Sequence, residues 1–328
     1  MKIRDIMCAV VVSGLMLGAC ASTDKKSETM SETKPEMAKM EFDGDSAYSF
    51  VAAQCEFGAR VPNTEAHRKC GDYLEAKLRG YGANVIVQEP ILTAYDGTKL
   101  HARNIIGEFA PEASRRILLL AHWDCRPWAD SDPDKKNHRK PVMGANDGAS
   151  GVGVLLEIAR LMQTKMPNVG VDILFVDAED WGDDSGATAD ASRTWALGTQ
   201  YWAANPHREG YSALFGILLD MVGAKGSTFS REYFSMQCAP ALVNELWKEA
   251  QKSGYGRYFV NGEGGAITDD HVFVNMAGIP CIDIIAMDKT TATGFVAQWH
   301  TVDDTMEHID ADVLKAVGQT VANYLYSF

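Results

Sequence analysis

The chain has 328 residues, 46% of them hydrophobic, and a formal net charge of −13. That is enough apolar material for one large core. The acidic balance argues against a nucleic-acid partner, which needs a basic surface, and the absence of any Cys-x-x-Cys pair among seven cysteines argues against a thiolate metal site.

At the N-terminus, Lys2 and Arg4 precede the apolar run IMCAVVVSGLMLGAC. The run is short for a membrane span and reads as a secretory signal over residues 1–19. It ends in Leu17-Gly18-Ala19-Cys20, which resembles the bacterial lipobox. That resemblance implies cleavage before Cys20 and lipidation of the new terminus. With Ala rather than Asp at position 21, it also implies a periplasmic protein anchored at the outer membrane. From Ala21 to Met40 there is no aromatic residue, so the segment is read as a tether, with residues 20–43 outside the fold and a single domain over 44–328. Five cysteines remain beyond Cys20, an odd number that makes no disulfide framework; a single bridge is compatible with an oxidising compartment, with Cys55 and Cys70 as the candidate pair.

Helical spacing starts near Ser46 and again near Asn63, where NTEAHRKCGDYLEAKLRGYG opens on a cap residue and closes at Gly80. Short β-branched runs then alternate with helical segments: NVIVQEP, ARNIIGEF, RRILLLAHW, VDILFVDAE, ALFGILLDMVG and IPCIDII as strands, with GASGVGVLLEIARLMQ, WALGTQYWAAN, PALVNELWKEAQKSG and DADVLKAVGQTVANYLYSF as helices. The alternation predicts an α/β fold with buried, mostly parallel central strands. Ligands of such sheets gather beyond the carboxyl ends of the strands.

The polar clusters follow those runs. RILLLAHWD delivers His122 and Asp124, GANDGASG places Asp147 at a glycine-flanked turn, and VDILFVDAED delivers Glu179 and Asp180. GILLDMVG delivers Asp220, and TDDHV and QWHTVDD add Asp269, Asp270, His271, Trp299 and His300. Any one of these acids alone is an ordinary turn former or helix cap. Together they repel one another, and a cation relieves that repulsion; Asp and His ligands suit zinc. Glu179 and Asp180, neighbours expected at an extended strand end, point apart. One is free to bind metal while the other moves protons, and zinc catalysis uses both functions.

His-x-Asp, Asp-Gly, Glu-acid, Asp and a late His, in that order, resemble the ligand sequence of the co-catalytic zinc aminopeptidases, a resemblance that implies their phosphorylase/hydrolase-like fold, a three-layer α/β/α sandwich with a mixed, mostly parallel central sheet. Within that superfamily AHWDCRP, DGASGVGVLLEIAR, AEDWG, LGTQYW, GILLDMVGA, TDDHV, GIPCIDII and WHTVDD resemble more closely the animal-type (type II) glutaminyl cyclases, above all their bacterial lipoprotein branch. The resemblance implies one zinc ion per chain held by Asp147, Asp180 and His300, with Glu179 as general acid/base. Asp220 and Asp269 would hydrogen-bond around the reacting groups. Thr268, Trp299 and either Trp195 or Trp181 would line the substrate pocket, while His122 marks a second-metal position and Asp283 stands where the animal enzymes place a histidine of the proton network. The implied reaction turns the N-terminal glutamine of a peptide into pyroglutamate with loss of ammonia, in a monomer.

The main alternative is a co-catalytic zinc aminopeptidase, which shares the scaffold and uses two metals. TDDHV and the Trp before His300 favour the cyclase. A binding module on a dead hydrolase scaffold would have lost ligand positions, and none is lost. A serine nucleophile is disfavoured because Ser150 lacks a Gly-x-Ser-x-Gly setting, and Cys125 is read as a passenger or half of a disulfide.

Overall fold

The computed structural model describes residues 40–328, within one compact unit. The signal segment, Cys20 and most of the tether lie outside the described residues. Packing begins slightly before the expected boundary: Phe42 is wholly buried and its amide donates to Gln319 Oε1. No helix among the described residues is long and apolar enough to cross a membrane.

In chain order the elements are α1 (Gly44–Cys55), α2 (Glu65–Gly80), β1 (Asn84–Gln88), β2 (Ile91–Thr93), β3 (Lys99–His101), β4 (Asn104–Phe109), β5 (Arg116–His122), α3 (Ala149–Thr164), β6 (Gly170–Val176), α4 (Leu197–Ala204), β7 (Gly216–Asp220), β8 (Phe229–Arg231), α5 (Tyr233–Cys238), α6 (Pro240–Lys252), β9 (Phe259–Glu263), α7 (Asp270–Met276), β10 (Cys281–Ile285) and α8 (Ala311–Leu325). The main sheet runs β1-β4-β6-β5-β7-β10. β6, β5, β7 and β10 are mutually parallel, and β1 and β4 close one side with antiparallel pairings. The central strands are therefore parallel, as the alternation predicts, and the antiparallel β1 and β4 make the sheet mixed, as the resemblance implies.

The strand period sorts side chains between two cores. Ile117, Leu119, Ile173, Phe175, Ile217, Leu219, Ile282 and Ile284 face a large core with α1, α3, α6 and α8. Their neighbours Leu118, Leu120, Leu174, Val176, Leu218 and Cys281 face a smaller one with Trp202 of α4 and Val274 of α7. Helices on both faces make the three layers, and burial on both faces explains the continuous apolar runs Ile117–Ala121 of β5 and Ile173–Val176 of β6.

The α2 cap is Thr64, whose hydroxyl accepts from the His67 amide; the expected cap, Asn63, sits one residue earlier at φ 72°. The glycine-rich start of α3 has a steric cause. A Cβ on Gly151 would lie 2.0 Å from the Leu219 carbonyl oxygen, so α3 rests directly on β7. Cys55 and Cys70 are both free thiols, which corrects the suggested bridge. The Arg60 guanidinium lies near Cys55, Cys70 and Cys125, and burial pushes the Cys70 thiol up to about 12.

Candidate active site

β5, β6 and β7 end on one rim in His122, Val176 and Asp220. A cavity of about 340 Å³ opens above it, lined by Asp147, Glu179, Asp180, Asp220, Asp269 and His300, with Thr268, Ile267, Phe295, Trp195 and Trp299 among its walls. That size is at the small end for ligand pockets.

Not every acid comes from a strand end. Asp269 caps α7, and its side chain accepts from the Asp270 amide. Asp283 lies inside β10, and His300 sits in the loop before α8. Nor do Glu179 and Asp180 diverge because of a strand pleat: β6 stops at Val176, and Ala178 turns the chain with φ 53°. Met221 and His300, also at the cavity, have φ 47° and 53°. Left-handed backbone costs a residue with a Cβ about 1–2 kcal/mol, and it persists only where surroundings over-determine it. At Ala178 they do. Ala196, Leu197 and Gly198 amides donate to the carbonyls of Glu179, Ala178 and Asp177, while the Asp124 carboxylate accepts from the Glu179 and Asp180 amides at 3.1 and 3.2 Å.

Asp147, Asp180 and His300 offer ligand atoms within 4.8 Å of one another, all buried. His300 Nε2 is 3.1 Å from Asp180 Oδ1 and 3.6 Å from Asp147 Oδ2. Asp147 owes its place to a turn in which its own amide and that of Asn146 donate to the Asp304 carboxylate. It is followed by Gly148 at φ 98°, where a Cβ would meet the Asp124 carbonyl oxygen at 2.3 Å. Asp147 caps nothing: α3 has no side-chain cap. Burial and the Asp147 charge push the Asp180 carboxyl up to about 6, although His300 opposes them. Neither Asp180 oxygen finds a well-directed hydrogen-bond donor. Two crowded carboxylates and an imidazole with unused lone pairs fit a divalent cation, and oxygen and nitrogen donors fit zinc. On its far side His300 Nδ1 lies 3.4 Å from Asp130 Oδ1, the arrangement in which a carboxylate orients a ligating imidazole.

A second trio, His122, Asp147 and Asp220, shares Asp147 with the first. His122 Nε2 stands 3.1 Å from both Asp147 Oδ1 and Asp220 Oδ1. Burial would lower the His122 pKa, but Asp124, Asp147 and Asp220 together hold it well above the usual value.

Glu179 stands outside both trios. Burial raises its carboxyl well above the usual range, reinforced by Asp269, Asp180 and Asp270 against His122. Burial and Asp220 raise Asp269 to about 7. Asp283 is buried below it with both oxygens unpartnered, 3.9 Å from His271 Nδ1, whose other nitrogen meets Glu232.

Of the two rival tryptophans, Trp195 lines the cavity, its ring nearly parallel to that of His300 at 6.1 Å. Trp181 belongs to a separate cluster with Trp128, and its indole N–H donates to Asp96. Trp299 stacks on His300 at 3.7 Å. Ser150 and Cys125 are buried; the Ser150 hydroxyl donates to the Asn146 carbonyl and accepts from the Val222 amide.

Sequence reasoning missed Arg126, Asp130 and Asp304. Arg126 donates to the carbonyls of Asp180 and Gly182 and to Asp130, and its guanidinium lies over Trp195 at 4.9 Å. It ties the turn after β6 to the acid behind His300. Arg126 and Asp304 fall inside the quoted motifs AHWDCRP and WHTVDD, but nothing in a motif reveals a carboxylate that grips backbone amides.

The family model for peptidase family M28 matches residues 104–325. A glutaminyl cyclase from Bacteroides thetaiotaomicron, solved with N-acetylhistamine, is 54% identical, covering 88% of this chain and 99% of that one at a TM-score of 0.86. A Zn-dependent exopeptidase from Parabacteroides distasonis is 55% identical, covering 89% and 100% at a TM-score of 0.87. A glutaminyl-peptide cyclotransferase-like protein from Bos taurus is 24% identical over 293 residues, 82% of this chain and 72% of that protein.

Proposed function

The chain belongs to peptidase family M28, and from that footing we infer that it is a zinc-dependent glutaminyl-peptide cyclotransferase, which closes the N-terminal glutamine of peptides and proteins to pyroglutamate and releases ammonia. The observation that carries the reading is a small cavity holding a zinc-type trio, a separate buried carboxylate and aromatic walls, on a chain more than half identical to a bacterial glutaminyl cyclase.

Asp147, Asp180 and His300 would hold one zinc ion, which when bound would supply Lewis-acid chemistry to the substrate's side-chain amide. The cavity seats the glutamine folded back on itself, so the α-amine faces the amide carbon and the attack is intramolecular. Glu179 takes a proton from the α-amine and gives it to the departing nitrogen, which must leave as ammonia. Asp220 and Asp269 accept hydrogen bonds from the amine and the amide, with Asp283 as the buried acid behind them. Trp195, Trp299 and Thr268 bound the glutamine, and the indole faces exclude water that would otherwise compete with the amine.

A single zinc at the Asp147–Asp180–His300 trio is favoured because both Asp180 oxygens lack a hydrogen-bond donor, whereas in the second trio His122 Nε2 is already hydrogen-bonded to Asp220 Oδ1 at 3.1 Å. We extend the proposal to a monomeric protein, secreted and lipid-anchored through Cys20 to the periplasmic side of the outer membrane. The export and anchoring rest on residues 1–21 of the sequence alone, and the monomer on the resemblance to the cyclase family.

The test is ammonia release from a Gln-Xaa dipeptide beside cleavage of Leu-p-nitroanilide, each with chelator and with zinc restored. Ammonia lost on chelation, without leucine cleavage, supports the cyclotransferase; leucine cleavage without ammonia returns the co-catalytic aminopeptidase.

A further inference from the structure

A buried, hydrogen-bonded His–Asp pair lies behind the site and takes no part in the chemistry above. His67, in the first turn of α2, and Asp177, just past β6, are 110 residues apart in sequence and both buried. His67 Nε2 stands 2.9 and 2.8 Å from the two Asp177 oxygens. The imidazole is stacked on Trp123 at 4.3 Å with 16° between planes, so its orientation is fixed by packing as well as by charge. Burial acts to lower the His67 pKa, yet Asp177 outweighs it and raises it.

Asp177 uses the same carboxylate to accept from the Arg103 amide at 2.6 Å and from the Ala178 amide at 2.7 Å. Ala178 is the left-handed residue that turns the chain, and Glu179 and Asp180 follow it directly. The Asp177 carbonyl is held from the α4 side by Gly198, where a Cβ would lie 2.1 Å from that oxygen. The turn is thus gripped by the α4 backbone and the Asp124 carboxylate on one side and by the Asp177 carboxylate on the other, and among the described residues the only side chain hydrogen-bonded to the Asp177 carboxylate is His67.

We propose that His67, acting through Asp177, is a positioning residue that holds the Ala178 turn in the conformation that aims Glu179 and Asp180 into the cavity. Without the imidazole, the carboxylate keeps two backbone amides but loses its charge partner and its tie to α2. It is then free to rotate off the Ala178 amide, and an alanine has no intrinsic reason to stay left-handed. The two acids move together because one turn carries both. The inference rests on the cyclotransferase reading, in which Glu179 moves the proton.

The experiment compares zinc-loaded parent enzyme with His67→Phe, which keeps an aromatic ring on Trp123 but offers no N–H, and His67→Gln, which keeps an N–H donor. Ammonia release gives kcat and KM per folded, zinc-loaded molecule, and melting temperature is recorded beside them. The expected result is a kcat about 10- to 100-fold lower in His67→Phe with KM within about twofold, the size expected for a misplacement near 1 Å, and recovery of most of that loss in His67→Gln. A His67→Phe enzyme with parental kcat and only a lower melting temperature would assign the pair to stability alone and overturn the proposal; so would a His67→Gln enzyme as slow as His67→Phe. Should His67→Phe not accumulate folded, Asp177→Asn is scored by the same criterion, with a kcat loss of about tenfold expected. If the parent enzyme releases no ammonia, the cyclotransferase reading fails on its own. The same variants are then scored on Leu-p-nitroanilide, where the same kcat loss is expected, since that chemistry also uses Glu179.

Discussion

Replacing Glu179 by glutamine separates proton transfer from everything else the site does. The side chain is 8% exposed, lines the cavity and belongs to neither metal-type trio. Glutamine fills the same volume, so no cavity opens and the zinc ligands keep their places. What is lost is general acid/base catalysis, which supplies about 10²- to 10⁴-fold, or about 2.7–5.4 kcal/mol of barrier at 1.36 kcal/mol per tenfold. Ammonia release from a Gln-Xaa dipeptide should fall by that factor with KM within about twofold and zinc content unchanged. Glu179→Asp keeps a carboxylate but withdraws it by one methylene, and a displacement of that order costs about 100-fold. The pH profile has a definite sign. Glu179 acts as a base, so kcat should fall as pH falls through its pKa in the zinc-loaded enzyme, and that acid limb should vanish in Glu179→Gln. Stability moves the other way. A carboxyl whose folded pKa lies above its unfolded value favours the folded state at low pH and loses that contribution as pH rises through the window between the two. Zinc-free Glu179→Gln should therefore melt higher than the parent at pH 7. Zinc loss in Glu179→Gln would show that ligand and base are exchanged between Glu179 and Asp180. Turnover above a tenth of the parental rate would remove Glu179 from the proton path.

Three further outcomes are expected. His300→Ala should lose zinc and activity together, measured by metal analysis and ammonia release; full activity in that variant would sink the ligand set. Asp130→Asn should leave the fold intact but weaken zinc binding about 10- to 100-fold in a chelator competition, because it loosens the imidazole from behind. Gly151→Ala should destabilise by about 3 kcal/mol or more in denaturant melts, since the new methyl meets a backbone oxygen at 2.0 Å that cannot move without displacing β7; a loss under 1 kcal/mol would mean α3 slides freely on the sheet.

The sheet was readable because its central strands are buried on both faces, which leaves unbroken apolar runs such as Ile117–Ala121 and Ile173–Val176. β2, β3, β8 and β9 were not: the first three are only three residues long, too short to carry a period, and β9 mixes polar residues with Gly262. The site divides in the same way. Residues that meet the cavity with charge, Asp147, Glu179, Asp180 and His300, stand out as acids and a histidine after apolar runs. Asp124, Asp304 and Asp177 look no different in sequence, yet each spends its carboxylate on backbone amides of the site. The turn at Ala178 was hidden for a related reason: an alanine gives no hint of left-handed backbone, which here is imposed by α4 and Asp124 from outside.

The aromatic layering around His300 has an optical consequence. Its imidazole lies near-parallel between two indoles, 3.7 Å from Trp299 and 6.1 Å from Trp195. Both are native fluorophores, and they flank a ring whose charge and proton count must change when metal enters. Trp123, Trp202 and Trp247 are fully buried elsewhere and supply a steady background. The protein thus carries its own reporter, and zinc loading can be followed as a change in tryptophan emission in unlabelled enzyme, before any substrate is added.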